Sequence, residues 1–185
     1  MPYTIRIRQG NLMEEPDATF IVNASNTKLL LGSGVSMAFK RHCGWELQHE
    51  MDAIRDARGD TIRPSEVVQT SSGRATNFRY ALHAAIMNYH LRMRDPARNP
   101  TLETIENTLK NIEAIVLSYR PQENETIKLV LPLMGCGVGG LDKADVIGLY
   151  REFFSRKIDV ACTVVIYGYS GEDYALLKEI IGHHA

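Results

Sequence analysis

A chain of 185 residues, 44% of them hydrophobic, is long enough for one well-buried core and too short for two comfortable ones, so a single unit spanning residues 1–185 is expected. The formal charge of −1 gives no general pull toward nucleic acid or an anionic membrane; anion recognition is left to oriented amides or a few arginines, which favours a small ligand over a polyanion. Cys43, Cys136 and Cys162 are an odd number without C-x-x-C or zinc-finger spacing, no signal-peptide core opens the chain and no apolar run is long enough to span a bilayer, so a reduced, metal-free, cytoplasmic protein with no membrane partner is expected.

Tyr3 to Arg8 alternates polar and apolar residues like an edge strand, and Thr19 to Asn23 is a short buried strand of β-branched and aromatic residues. A glycine-bearing turn follows. Beyond it, Val35 to Cys43 and Glu46 to Ala57 are two helices separated at Gly44, with Trp45 between them expected as a packing anchor. Glu66 to Thr70 and Tyr80 to Ile86 are strands bridged by a polar hairpin at Ser71-Ser72-Gly73. An arginine-rich loop, Arg92 to Pro100, is expected to be solvated and leads to Thr101, which can cap a helix whose apolar stripe is Leu102, Ile105, Leu109, Ile112, Val116 and Tyr119. Ile127 to Leu133 is apolar throughout, as a strand buried on both faces is. A helix Asp142 to Arg156, a strand Cys162 to Tyr167 and a helix Asp173 to Ile181 complete the order. Alternating strands and helices in the second half imply parallel pairing, hence an α/β protein: a three-layer α/β/α sandwich around a mixed, mostly parallel sheet.

Two glycine-bearing turns carry the functional signal. One runs from Val22-Asn23-Ala24-Ser25-Asn26 to Leu31-Gly32-Ser33-Gly34-Val35, the other from Leu131-Pro132 through Gly135-Cys136-Gly137-Val138-Gly139-Gly140-Leu141. Each connects a strand to a helix, where glycine lets the backbone approach a ligand and present N–H groups to a phosphate. Two of them suggest a diphosphate held from both sides, in the crevice at the carboxyl ends of the strands. Neither is a dinucleotide fingerprint or a P-loop, since the third glycine and a Gly-Lys-Ser/Thr are both missing. Asn23 and Asn26 flank the strand end, where a carboxamide can order a loop or bind a sugar hydroxyl; the ligand reading is preferred for Asn26 and the structural one for Asn23.

Ile21-Val22-Asn23-Ala24-Ser25-Asn26 and Gly32-Ser33-Gly34-Val35, preceded by Gly10-Asn11-Leu12, resemble the opening signature of macro domains, which bind ADP-ribose. The likeness continues through Ala81-Leu82-His83-Ala84, the second glycine turn and Val164-Val165-Ile166-Tyr167, nearly the whole chain in the family's order. It implies ADP-ribose or an ADP-ribosylated protein as partner, no cofactor, and nucleic acid as an unlikely partner. Carried over by position, Asn11 and the Leu12 amide would meet the adenine edge and Asn26 the distal ribose. Gly32, Ser33, Gly34 and Val35, with Gly135, Cys136, Gly137, Val138 and Gly139, would supply donors to phosphates and ribose, and Tyr167 would pack on adenine.

Two departures from the family pattern bear on activity. Asn11 stands where members usually carry an aspartate that accepts from the adenine amino group. Ser36 stands where the hydrolases of one branch carry an aspartate, and a hydroxyl does not replace a carboxylate as general base. A second branch uses a lysine, but Ala84, Ala85 and Ile86 occupy the matching strand end. His83 and Asn26 are the remaining weak candidates for catalysis, with the packed core residue the commoner fate of a histidine on an apolar strand. Cys136 invites a lowered pKa at a helix entry, although a small residue fitting a tight turn is preferred. ADP-ribose binding is thus the leading expectation, and metal-independent removal of ADP-ribose from proteins, or deacetylation of O-acetyl-ADP-ribose, the alternative.

Overall fold

The computed structural model of the chain describes residues 2–123 and 125–182; Met1, Asn124 and residues 183–185 of the expected unit lie outside the described residues. The strands are β1 (Thr4–Gln9), β2 (Ala18–Asn26), β3 (Val67–Ser71), β4 (Phe78–Met87), β5 (Ile127–Pro132) and β6 (Cys162–Gly168). The helices are α1 (Val35–Cys43), α2 (Trp45–Ala57), α3 (Leu102–Ser118), α4 (Lys143–Phe154) and α5 (Gly171–Ile181), with short 3₁₀ turns at Leu12–Glu14 and Pro96–Arg98. One sheet of order β1-β6-β5-β2-β4-β3 joins all six strands. Only β3 runs antiparallel to its neighbour, closing the expected hairpin with β4. β1 is at one edge, as its half-polar alternation requires.

Successive side chains of a strand point to opposite faces, so each central strand feeds two cores. Phe20, Val22, Leu82, Leu129, Leu131, Val164 and Ile166 pack with the stripes of α3, α4 and α5. Ile21, Ala81, Val130, Val165 and Tyr167, from the alternate positions, pack with Phe39, Leu47 and Met51 of α1 and α2 and with Leu12 and Met13. The result is the expected mixed, mostly parallel three-layer α/β/α sandwich. Each large side chain buried this way contributes about 1.5–3 kcal/mol.

Helix boundaries follow local chemistry. The Thr101 hydroxyl accepts from the Thr104 amide while the Thr104 side chain accepts from the Thr101 amide, a reciprocal cap at the start of α3. Asp142 caps α4 by accepting from the Asp145 amide, and Ser170 caps α5 in the same manner. Gly44, at φ +81°, separates α1 from α2 in a backbone region that favours glycine.

Three expectations are corrected. Trp45 is not a packing anchor: it is 62% exposed, with its ring edge-on to His49 at 4.5 Å between centroids. Leu47 and Met51, the buried residues of α2, lie two and six positions on, roughly 200–240° around the helix, so Trp45 faces outward. Leu102, expected in the apolar stripe of α3, is exposed at 39%, whereas Tyr119, the cap after the last turn, does pack on the core with its ring edge-on to Phe20 at 5.4 Å between centroids. Arg98 of the arginine-rich loop is not merely solvated: its guanidinium lies 4.0 Å over the Tyr89 ring and donates to the Leu91 carbonyl.

Candidate functional site

At the carboxyl ends of β1, β5 and β6 a cleft of about 760 Å³ opens between the 3₁₀ turn at Leu12–Glu14, one face of α1 and the turn after β5. This is the crevice that parallel sheets offer to ligands. Of the expected ligand-binding residues, Asn11, Leu12, Gly34, Val35, Cys136, Gly137 and Tyr167 line it. Gly34 caps α1 at φ 57° and ψ −131°, a conformation reserved in practice for glycine, and a Cβ added there would project into open space. The amides of Gly34, Val35 and Gly137 make no hydrogen bond within the described protein. N–H groups at the entrance of α1 and in the second turn thus remain to receive an anion, aided at α1 by the helix dipole.

The other expected residues take different places. Asn26 is buried and its carboxamide is consumed locally: Oδ1 accepts from the amides of Lys28 and Leu30, and Nδ2 donates to the Leu30 carbonyl. It shapes the loop leading to Gly32 and Ser33, which are exposed but do not line the cleft. Gly135 and Gly139 are packing glycines. A Cβ on the first would meet Leu141 at 2.7 Å, and one on the second would meet the Gly135 carbonyl oxygen at 2.7 Å and Pro100 at 2.8 Å. They let the second turn fold back on itself, with the Leu141 amide donating to the Gly135 carbonyl, and Val138 is left at the exposed tip. Tyr150 anchors this turn from below, its buried hydroxyl donating to the Pro132 carbonyl and accepting from the Met134 amide.

Tyr167 presents its ring to the cleft, and its hydroxyl does not sit in water. It donates to Glu15, a buried carboxylate that also receives Lys128 at 3.2 Å. Burial, with the neighbouring Glu15 charge, raises the Tyr167 pKa well above its usual range, so the phenol stays protonated and the ring stays fixed. Tyr169, two residues on and therefore on the same side of the strand end, is 81% exposed at the rim of the cleft; the two-residue period of β6 would have located it. Met37, Ala38, Arg41 and His42 were likewise legible as the continuation, at helical spacing, of the face that starts at Val35. Lys143 and Asp173 were not, since they come from the starts of two helices 30 residues apart.

Burial and pairing set the protonation of three titratable groups that line the cleft, Cys136, Lys143 and Asp173. Burial raises the Cys136 thiol to about 11 despite the nearby Lys143, so it is neutral and not the activated thiolate that its position suggested. Lys143 donates to Asp173 at 2.5 Å, a bond that raises the lysine's pKa and keeps the ammonium protonated. Burial works against the Asp173 charge, but the bonds from Lys143 and the Ser170 amide outweigh it and hold the carboxyl below its ordinary range, which makes it a weak base.

His83 lies outside the cleft, fully buried in a polar chain. Ser36 donates to Asn23 Oδ1 at 2.9 Å, Asn23 Nδ2 donates to His83 Nδ1 at 3.1 Å, and Thr70 Oγ1 lies 2.8 Å from His83 Nε2 and donates to the Ser71 carbonyl. With Nδ1 accepting from an amide, the proton resides on Nε2 and is given to Thr70. Burial alone depresses the His83 pKa from 6.5 to about 3, so the ring is neutral near pH 7. The chain fastens Ser36, in the first turn of α1, to the sheet, and it turns that hydroxyl inward toward Asn23 and the Ala24 carbonyl.

The Macro domain family model matches residues 22–149. An uncharacterized protein of Aquifex aeolicus is 30% identical over 140 residues, covering 75% of this chain and 73% of that protein. The fold is that of a macrodomain of Oceanobacillus iheyensis solved with ADP, with a TM-score of 0.78 at 22% identity over 97% of this chain and 90% of that one. It is also that of a Trypanosoma brucei macrodomain solved in complex with ADP, with a TM-score of 0.76 at 16% identity over 96% of this chain and 69% of that one. The chain belongs to the macro domain family.

Proposed function

We propose that the cleft binds ADP-ribose or the ADP-ribosyl group of a modified protein or metabolite. The observation that carries this reading is the pair of backbone turns that line one crevice, with the Gly34 and Val35 amides unpaired in the first and the Gly137 amide unpaired in the second, beside the fixed ring of Tyr167. The diphosphate would sit at the entrance of α1 between those turns, with the base toward Asn11, Leu12 and Tyr167. An O. iheyensis macrodomain variant solved with ADPR supports the assignment by likeness of fold. Binding is preferred to hydrolysis because Ser36 is turned into the protein and Asp173 is held as an ion pair. The test is calorimetric titration with ADP-ribose, with AMP and ribose 5-phosphate as partial ligands. Micromolar binding of the whole ligand and not of its fragments is the expected result. Steady release of free ADP-ribose from a modified protein would instead establish the hydrolase.

A further inference from the structure

The end of the cleft remote from Gly34 holds two side-chain donors that make no bond within the described protein. Asn11 is the cap of the 3₁₀ turn, and its Oδ1 accepts from the Met13 amide at 3.1 Å. That bond fixes the orientation of the carboxamide, because the flipped amide would set an NH₂ group against an N–H. The Asn11 Nδ2 group makes no hydrogen bond within the described protein. Arg41 lies six residues beyond Val35, about 9 Å along α1, and its guanidinium also makes no hydrogen bond or ion pair within the described protein.

His42 and Asn77 bring these two donors to the same end. Asn77 spends its amide nitrogen on the carbonyls of Met13 and Glu15, so its oxygen accepts from His42 Nε2 at 2.8 Å, which ties the last turn of α1 to the 3₁₀ turn. No free carboxylate opposes them: Glu15 is buried against Tyr167 and Lys128, and Glu14 does not line the cleft.

Resting on the diphosphate-ribose reading above, we infer that the base end of this cleft selects a 6-oxopurine over a 6-aminopurine. A guanidinium pairs with the O6 and N7 acceptors of an oxopurine, whereas an asparagine grips adenine through N6 and N7 only when its own oxygen can receive the amino group. Here that oxygen spends one of its two lone pairs on the turn, whereas Asn11 Nδ2 and the Arg41 guanidinium are unspent donors that match the acceptors of an oxopurine and repel the 6-amino group of adenine.

The test is calorimetric titration of the protein with ADP-ribose and with inosine diphosphate ribose, which differ in the base alone. Inosine diphosphate ribose should bind about fivefold more tightly or better, the lower range for a good base-edge pair. Arg41→Ala, at an exposed position, should bring the two affinities together, and Asn11→Asp should favour ADP-ribose. A preference below fivefold in the wild-type protein, or one for ADP-ribose, overturns the inference while leaving the diphosphate-ribose site standing. Absence of binding by both ligands overturns that site and the inference with it.

Discussion

His83 allows a prediction whose size can be worked out. The native ring is neutral, with a pKa depressed to about 3 by full burial, and its two nitrogens are engaged by Asn23 and Thr70. In the unfolded chain it returns to its ordinary value of 6.5. Between those values the unfolded state binds a proton that the native state does not, so stability is full above pH 6.5 and falls as the pH drops toward 3. The slope approaches about 1.4 kcal/mol per pH unit, which makes the loss from this residue about 2 kcal/mol by pH 5. Urea denaturation at pH 7.5, 6.0 and 5.0, on the wild-type protein and His83→Gln, isolates it. The variant should be less stable at pH 7.5 through its altered packing, yet lose about 2 kcal/mol less than the wild type on going to pH 5. Equal losses in the two proteins would refute the buried neutral histidine. ADP-ribose affinity of the variant at pH 7.5 should stay within a few-fold of the wild type, since His83 does not line the cleft.

Gly34→Glu is expected to abolish ADP-ribose binding by calorimetry, with size and charge both opposing the diphosphate; the glycine-only backbone there adds about 1–3 kcal/mol of destabilisation, read from the thermal midpoint. Tyr150→Phe should cost about 1–3 kcal/mol in urea, because the buried Met134 amide loses its acceptor, and should weaken ADP-ribose binding by loosening the second turn. Glu15→Leu leaves the Tyr167 hydroxyl and Lys128 without their carboxylate, and is expected to cost about 1–3 kcal/mol and to weaken the ligand as the ring loses its anchor; unchanged affinity would mean that Tyr167 does not contact it.

The sequence by itself determined the order and type of the elements, because each rests on signals within a few residues. Thr101 with Thr104 marks the start of α3, Gly44 separates α1 from α2, and the alternation of Ile21 with Val22 or Val164 with Val165 assigns one residue to each core. The two glycine turns were legible for the same reason. Their division of labour was not. Gly34 and Gly137 open onto the cleft while Gly135 and Gly139 are pressed against Leu141 and Pro100, a distinction made by side chains distant in sequence. Asn26 engages both ends of its carboxamide within its own loop, and Trp45 faces outward because α2 buries the opposite face, placements that no local signal carries.

Only the tertiary structure decided which donors and charges share the cleft. Lys143 and Asp173 meet because α4 and α5 start side by side, and Tyr167 is fixed by Glu15, 152 residues away, through strands that adjoin only in the folded sheet. Local hydrogen bonding and hydrophobic period are properties of a segment and can be read along the chain. The protonation and orientation of a side chain depend on what the sheet order places beside it, and pairings between segments so far apart leave no periodic mark on the sequence.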